Sequence, residues 1–244
     1  MIYLSRLLLD GRNQEVRRDL ANCHDLHRTI LRGFPSVDDA RGEARAAYGV
    51  LYRIEQTPAP RGIALLIQSS YLPDWSALPP RYLLDTSGHP PNPHTKPVGH
   101  LYETIRNGTE FVFRLHANPT KRVGGHNPDV DTKWRGKRVE LRRDADLIAW
   151  LERKGEDGGF RLLDVATQHA PTSSEVVDVQ TTRAGNLVGY RAGRHLTFGS
   201  VIFQGRLVVT DAQGFHQTLA QGVGSGKAYG FGLLSIGPIQ PGGA

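Results

Sequence analysis

The chain has 244 residues, of which 39% are hydrophobic, and 30 lysines and arginines against 24 acids give a formal net charge of +6. This length suits one large or two small domains, and the positive balance favours an acidic partner without identifying it. The single cysteine, Cys23, excludes an internal disulfide and fits a reducing compartment. No apolar run approaches the ~18 residues of a membrane-spanning helix, so we expect a cytoplasmic protein with no membrane partner.

The first part of the chain predicts a strand, then helical segments, then paired strands. Apolar residues at three- and four-residue steps predict a helix over residues 19–34, and further helical segments are predicted near 38–49 and 72–78. Strands are predicted at residues 2–9, 50–56, 62–69 and 81–85. Residues 87–99 are rich in proline and glycine and predict a linker.

After the linker the pattern begins again. Strands are predicted at residues 111–115, 160–165, 175–182, 186–190, 196–209 with a break near Gly205, and 233–236, with helices at 144–154 and 215–221. Both halves can therefore be written as strand, helix, two strands, helix, strand. This predicts an α+β protein of two tandem ferredoxin-like, split βαβ domains over residues 1–95 and 105–244. Many RNA-binding modules share this plan, although a fold does not fix a function.

A glycine-rich segment near the C-terminus contains one lysine, Lys227, and two aromatic residues among its glycines. Its backbone can take positive φ and present successive N–H groups to an anion such as phosphate. A nucleotide-binding P-loop is excluded, because Gln221 and Ala228 stand where that motif needs glycine and serine or threonine. The alternative to an anion-binding site is that this segment only makes a tight connection between a helix and a strand. The glycines are Gly222, Gly224, Gly226, Gly230 and Gly232.

Two histidines, His24 and His27, lie three residues apart and so are neighbours on the predicted helix. His27 falls near the centre of the apolar face and His24 at its edge, so a half-buried structural histidine is one interpretation. General acid or base catalysis is the second, because histidine titrates near neutral pH. A zinc site is the third and weakest, since no thiolate is near and His89, His94 and His100 lie in the predicted linker.

Basic residues form three groups in the second half of the chain. The first two groups are pairs of adjacent residues, at 121–122 and 137–138, and Lys133, Trp134 and Arg135 lie between them. The third group flanks glycines in a hairpin-like stretch. A basic run is usually a solvated surface, but arginines on a glycine-jointed hairpin can contact phosphates or base edges of nucleic acid. The members of these groups are Lys121, Arg122, Lys137, Arg138, Arg183, Arg191 and Arg194.

Several segments, in order along nearly the whole chain, resemble the CasE family of CRISPR repeat-processing endoribonucleases of the type I-E system. The matching segments are residues 17–22 with 27–29, 113–122, 136–139, 149–153, 203–207 and the glycine-rich segment running into 233–235. The resemblance implies two tandem ferredoxin-like domains that bind the stem-loop of CRISPR repeat RNA. It further implies one cut at the 3′ base of the stem and a place in the Cascade complex.

The resemblance also implies the chemistry. No metal or other cofactor is required, and the 2′-hydroxyl attacks the adjacent phosphate, leaving a 2′,3′-cyclic phosphate and a 5′-hydroxyl. His27 matches the family's catalytic histidine by its place in the helix. The family often has a tyrosine where this chain has His24, so His24 is either a partner acid or base or a residue that orients RNA. A non-catalytic RNA-binding subunit of the same complex is the alternative function.

The resemblance carries over the basic hairpin as a region that enters the groove of the RNA stem, with Arg183, Arg191 and Arg194 on it. Arg32 is a candidate for neutralising charge on the scissile phosphate, because a cation there would stabilise the transition state. It is equally consistent with a solvent-facing helix residue.

Overall fold

The computed structural model describes residues 1–37, 44–56, 62–86, 90–123, 136–165 and 176–239. The protein is a mixed α/β structure whose two main sheets are antiparallel. The first sheet has the strand order β2-β3-β1-β4. Its strands are β1 (Tyr3–Leu9), β2 (Leu51–Gln56), β3 (Ile63–Ser69) and β4 (His94–Pro97).

Two consecutive helices, α1 (Gln14–Ala21) and α2 (Cys23–Leu31), cover one face of this sheet. Leu26 and Ile30 of α2 belong to the same buried cluster as Leu7 and Leu65 of the strands. Burial of a leucine or isoleucine side chain contributes roughly 2 kcal/mol, so these contacts fix which face of α2 points inward. The other helical segments are α3 (Ala44–Ala47), a 3-10 turn (Trp75–Ala77) and α4 (Gly99–Glu103).

The second sheet has the order β11-β5-β10-β8, and β9 pairs with β10 over residues 194–205, before the stretch of β10 that pairs with β8. Its strands are β5 (Glu110–Ala117), β8 (Phe160–Leu162), β9 (Val179–Arg191), β10 (Arg194–Val209) and β11 (Leu234–Pro238). Helices α5 (Asp144–Gly158) and α6 (Ala212–Gln221) pack on it through Leu151 and Phe215. Strands β6 (Thr120–Arg122) and β7 (Arg138–Glu140) form a separate hairpin.

Buried polar contacts join the two sheets. Arg53 of β2 is 3% exposed and donates hydrogen bonds to the carbonyls of Arg114 and Leu233, both at 3.2 Å, while Glu55 pairs with it at 2.6 Å. Gln68 of β3 donates to the carbonyl of Leu219 at 2.7 Å. A buried donor or acceptor left unpaired is costly, so these bonds specify how the second sheet and the glycine-rich segment lie against the first.

The first half of the chain departs from the sequence prediction in three places. The predicted helix over 19–34 is two helices, because the backbone of Asn22 is extended and its side chain caps α2 by accepting from the amide of His24. The predicted strand at 81–85 is only a bridge between Leu83 and Leu9. The fourth strand is β4 instead, which lies within the predicted linker as an edge strand, where proline is tolerated.

Other predictions of the first half are confirmed in outline. The strands predicted at 2–9, 50–56 and 62–69 are β1, β2 and β3. The segment predicted as a short helix at 72–78 forms the 3-10 turn Trp75–Ala77. Of the helix predicted near 38–49, residues 38–43 lie outside the described residues, and α3 follows them.

In the second half, the strands predicted at 175–182 and 186–190 are joined in one strand, β9, which begins only at Val179; residue 175 lies outside the described residues. Strand β10 is likewise continuous through Gly205, and its irregularity falls between Gly199 and Val201. Gly205 is needed for a different reason: a Cβ there would lie 2.1 Å from the carbonyl oxygen of Asp178. The glycine-rich segment connects α6 to β11, as predicted, and contains a 3-10 turn at Lys227–Tyr229.

Candidate functional site

Helix α2 presents both predicted histidines to one small cleft. His27 is 8% exposed, which agrees with its place on the apolar face, and His24 is half-buried. The cleft has a volume of about 200 Å³ and is called the histidine cleft below. It is lined by His24, His27, Arg28, Leu31, Ala44, Arg191, Ala228 and Tyr229.

Asn22 brings the basic hairpin to this cleft. Its side-chain oxygen accepts a hydrogen bond from the amide of His24 at 3.2 Å and another from the amide of Tyr190 at 3.0 Å. A Cβ at Gly189 would lie 2.7 Å from both Asn22 Oδ1 and Cys23 Sγ, so only glycine lets β9 approach the start of α2 this closely. The same side chain therefore caps the histidine helix and holds the hairpin against it.

Tyr229 reaches the histidine cleft from the glycine-rich segment. Its ring centroid lies 6.2 Å from that of His27 and 6.5 Å from that of His24, both in edge-on geometry. The hydroxyl of Tyr52 donates to the carbonyl of Ala228 at 3.0 Å and so fixes the backbone beside it. Sequence reasoning assigned Tyr229 no role, and its position inside the glycine-rich segment was the available signal.

Burial and positive neighbours keep His27 neutral. The pKa of His27 is lowered from 6.5 to about 4, first by burial and then by the nearby charges of His24, Arg45 and Arg191. Nδ1 of both His24 and His27 is buried without a hydrogen-bond partner among the described residues. At neutral pH His27 is thus an uncharged imidazole that can accept a proton, and it faces cations that attract an anionic group.

The tip of the β9–β10 hairpin concentrates positive charge next to the cleft. Arg191 and Arg194 are directly paired across the two strands and both are exposed. Ala192 and Gly193 form the turn between them with φ of 48° and 74°, as a two-residue hairpin turn requires. Like charges placed opposite each other destabilise a hairpin, so a bound anion at this tip would stabilise it.

The remaining predicted residues are spread over the surface. Arg183 lies far along β9 from the tip, in a cleft with Glu140. Arg32 lies at the end of α2 and lines a cleft with Arg18, Asp25, Arg28 and Thr29; it is not among the residues of the histidine cleft. Lys133, Trp134 and Arg135 lie outside the described residues.

Four predicted basic residues lie on or beside the β6–β7 hairpin, and one of them lines the same cleft as Lys227. Lys121 and Arg122 are exposed on β6, and Lys137 immediately precedes β7. Arg138 at the start of β7 lines a cleft together with Lys227 of the glycine-rich segment. Lys227 is half-buried, and burial lowers its pKa, with Arg45 and Lys154 adding to the effect.

A second imidazole, that of the half-buried His116 of β5, contacts the glycine-rich segment. Its ring packs against Phe231 with centroids 4.8 Å apart, and its Nε2 is hydrogen-bonded to the hydroxyl of Ser200. The backbone carbonyl of His116 accepts from the amide of Gly232 at 2.8 Å. The pKa of His116 is lowered from 6.5 to about 4, first by burial and then by the nearby charge of Arg53. His116 was not among the site residues predicted from the sequence.

Two kinds of feature are absent from the described residues, a metal-binding group and a membrane-spanning helix. Within the ranges that the structure describes, no group of three or more histidine, cysteine, aspartate or glutamate side chains is arranged to hold a metal ion. Over the same ranges, no helix combines the length and the apolar character needed to cross a bilayer.

Comparison with known proteins gives consistent matches over nearly the whole chain. A family model described as CRISPR associated protein matches residues 2–238. The chain is 35% identical to the CRISPR-associated endoribonuclease Cse3 of Thermus thermophilus, over 97% of this chain and 100% of that protein. It is 28% identical to the CRISPR system Cascade subunit CasE of Escherichia coli, over 98% and 100%. The structure of Thermus thermophilus Cse3 bound to an RNA representing a pre-cleavage complex matches with a TM-score of 0.71 at 34% identity, over 97% and 99%.

Proposed function

The chain belongs to the family of CRISPR-associated proteins, and from this premise we propose that it is an endoribonuclease that cuts the stem-loop of CRISPR repeat RNA. The name of the Thermus thermophilus relative and its complex with a pre-cleavage RNA support an activity on RNA. The name of the Escherichia coli relative supports a place as a subunit of Cascade. The observation that carries the proposal is the histidine cleft, where a buried neutral imidazole faces Arg191 and Tyr229.

The proposal includes two ferredoxin-like domains, predicted over residues 1–95 and 105–244, with the first extended to residue 97 so that it contains the whole of β4. The first sheet has the order β2-β3-β1-β4, which is the order expected when two βαβ units interlock. The order β11-β5-β10-β8 repeats this arrangement when β5, β8, β10 and β11 are taken as its four strands. The β6–β7 hairpin and β9 are then additions to the second domain.

The proposed reaction is an internal transesterification of RNA. His27 takes the proton of the 2′-hydroxyl, whose oxygen attacks the adjacent phosphorus while the bond to the 5′-oxygen breaks. The leaving oxygen receives a proton from a second group, and the products are a 2′,3′-cyclic phosphate and a 5′-hydroxyl. A neutral imidazole suits the first step, and general acid–base catalysis contributes about 10²- to 10⁴-fold for each group.

The cations have separate proposed roles. Arg191, at the rim of the histidine cleft, stabilises the negative charge that develops on the scissile phosphate. Arg194, at the same hairpin tip, contacts the phosphates of the RNA stem, as a protruding hairpin suits the groove of a duplex. Arg28 lines the histidine cleft and is a better-placed candidate than Arg32 for a contact near the cut.

The proposal is tested with a repeat stem-loop RNA incubated with the protein in EDTA. We expect one cut, a product ending in 2′,3′-cyclic phosphate, and no cut when the nucleotide before the scissile bond carries 2′-deoxyribose. His27→Ala should abolish cleavage while leaving the affinity for the stem-loop nearly unchanged.

Two results would change this conclusion. A wild-type protein that binds the stem-loop without cutting it would be the non-catalytic RNA-binding subunit. A His27→Ala variant that still cuts at an appreciable fraction of the normal rate would remove His27 from the mechanism.

A further inference from the structure

Three clefts follow one another, each sharing lining residues with the next, and together they are called the track. The second cleft, of about 430 Å³, lies over the glycine-rich segment and shares Arg191 and Tyr229 with the histidine cleft. The third, of about 520 Å³, lies between α5 and the glycine-rich segment and is called the α5 cleft. Lys227 lines both the second cleft and the α5 cleft. The track therefore runs from the imidazoles across the glycines to α5.

The α5 cleft carries an excess of positive charge. Its cations are Arg138, Arg153, Lys154 and Lys227, and its acid, Asp157, lies 2.7 Å from Lys154. Cations held close together repel one another, most of all where they are partly withdrawn from water, as Lys227 is. An anion bound among them would remove this repulsion.

The backbone of the glycine-rich segment adds hydrogen-bond donors to the track. Gly224 and Gly226 have φ of 79° and 75°. The amides of Gly224, Ser225 and Gly226 donate to no acceptor in the parts of the chain that the structure describes. Gly224 and Ser225 line both the second cleft and the α5 cleft. Successive free N–H groups in such a turn form a concave site for phosphate oxygens.

We propose that the α5 cleft and the glycine-rich segment bind the backbone phosphates of the unpaired RNA strand that adjoins the base of the stem. This rests on the proposed function, which puts the scissile phosphate in the histidine cleft. A recessed track can take a single strand, whose phosphates are accessible from every side, whereas a duplex is contacted by protruding elements such as the β9–β10 hairpin. The cleft thus adds affinity for the precursor beyond the stem-loop itself.

The test compares the stem-loop alone with stem-loops extended by a short unpaired strand on the 5′ or the 3′ side. We expect an extension on one side to tighten binding of the wild-type protein. The Arg153→Gln variant should bind the extended RNA about three- to fivefold more weakly than the wild-type protein does. The slope of log K against log salt concentration should become smaller by about 0.7, as expected for the loss of one phosphate contact to a single strand. Binding of the bare stem-loop should not change.

Asp157→Asn should change the affinity for the extended RNA in the opposite direction to Arg153→Gln. Arg161→Gln is a matched control. Removing the carboxylate from the α5 cleft should tighten binding of the extended RNA only. Arg161 is an exposed arginine of β8 that does not line the cleft, so its variant should behave as wild type. A photoreactive uridine in the extension should crosslink to peptides from α5 or from the glycine-rich segment.

The proposal is overturned if neither extension tightens binding, or if Arg153→Gln weakens bare and extended RNAs equally. Crosslinks found only outside these two segments would also overturn it. A failure of the proposed function would differ from these results, because the wild-type protein would then leave the bare stem-loop uncut, whether or not it bound it.

Discussion

His27 combines deep burial with neighbours that oppose its protonation. Its pKa is lowered to about 4, first by burial and then by His24, Arg45 and Arg191. A histidine of ordinary pKa would be partly protonated near pH 6.5 and would lose its function as a base as the pH falls. The buried ring keeps that function in mildly acidic solution, and its pH dependence is the direct test of the role proposed for it.

We expect kcat/KM for RNA cleavage to hold down to about pH 5 and to fall near the pKa of the free enzyme, about 4. The acid limb of kcat should lie at higher pH, because the bound phosphate favours the imidazolium. Rates over pH 4 to 8 test this, with an NMR titration of the His27 ring in the free protein. An acid limb of kcat/KM near 6.5 would contradict it.

The second proton-transfer group is decided by two variants at the same cleft. His24→Ala should lower the cleavage rate by about 10²-fold with unchanged RNA affinity if His24 protonates the leaving oxygen. Tyr229→Phe keeps the ring that contacts both imidazoles and removes only the hydroxyl, so a smaller loss is expected. Single-turnover rates and dissociation constants measure both effects. A larger loss in Tyr229→Phe than in His24→Ala would transfer the acid role to Tyr229.

At the scale of elements, the β9–β10 hairpin of the second sheet places positively charged side chains beside helix α2, which packs on the first sheet. Its tip carries Arg191 and Arg194, and its contact with α2 depends on Asn22 and on the absence of a side chain at Gly189. The hairpin thus has two separable properties, its charge and its position, and one prediction addresses each.

Removal of the charge should weaken binding. Arg191→Ala or Arg194→Ala should each reduce the slope of log K against log salt concentration by about 0.9, the value for one phosphate contact to a duplex. Affinities of the stem-loop at several salt concentrations measure this. Arg12→Ala, which removes an exposed arginine paired with Asp10, should leave the slope unchanged. An unchanged slope in the hairpin variants would exclude a phosphate contact there.

Displacement of the hairpin should impair catalysis. Gly189→Val places a Cβ 2.7 Å from Asn22 Oδ1 and Cys23 Sγ and 3.3 Å from the amide nitrogen of Cys23, so β9 must move away from α2. Because Arg191 moves with it, we expect cleavage to fall by about 10- to 100-fold. Val188→Ala, at the exposed neighbouring residue, is the control. Normal cleavage by a folded Gly189→Val variant would show that the contact is dispensable.

At the scale of the whole molecule, two neutral histidines, the buried His27 and the half-buried His116, link stability to pH. The pKa values of His27 and His116 are both lowered from 6.5 to about 4, so between these values the unfolded chain binds more protons than the folded one. Stability therefore rises with pH through this window and is complete above about 6.5.

Acidification from pH 6.5 to 5 should lower the free energy of unfolding by about 2 kcal/mol for each of these histidines. Urea unfolding at a series of pH values measures the effect. In His27→Ala, whatever its stability at pH 7.5, the free energy of unfolding should depend less steeply on pH. The difference in slope should correspond to up to one bound proton. An unchanged slope would mean that His27 titrates normally in the folded protein.

Local pattern in the sequence determined much of this architecture. Residue spacing predicted strands β1, β2 and β3, the histidine-bearing helix and the glycine-rich connection before β11, because hydrophobic period and glycine content act over a few residues. It also predicted that His27 lies on the buried face of its helix, as its 8% exposure confirms. The tertiary structure alone decided that β4 forms inside an apparent linker, since an edge strand is defined by its partner β1.

The composition of the histidine cleft was also decided only by the tertiary structure. Tyr190 and Asn22 are 168 residues apart in the chain, yet one hydrogen bond joins them and places Arg191 beside His27. Tyr229 arrives from the glycine-rich segment, which Tyr52 and His116 hold from two different sheets. Contacts between distant residues depend on which elements pack together, and the hydrophobic period of one element shows which face is buried but not which partner covers it.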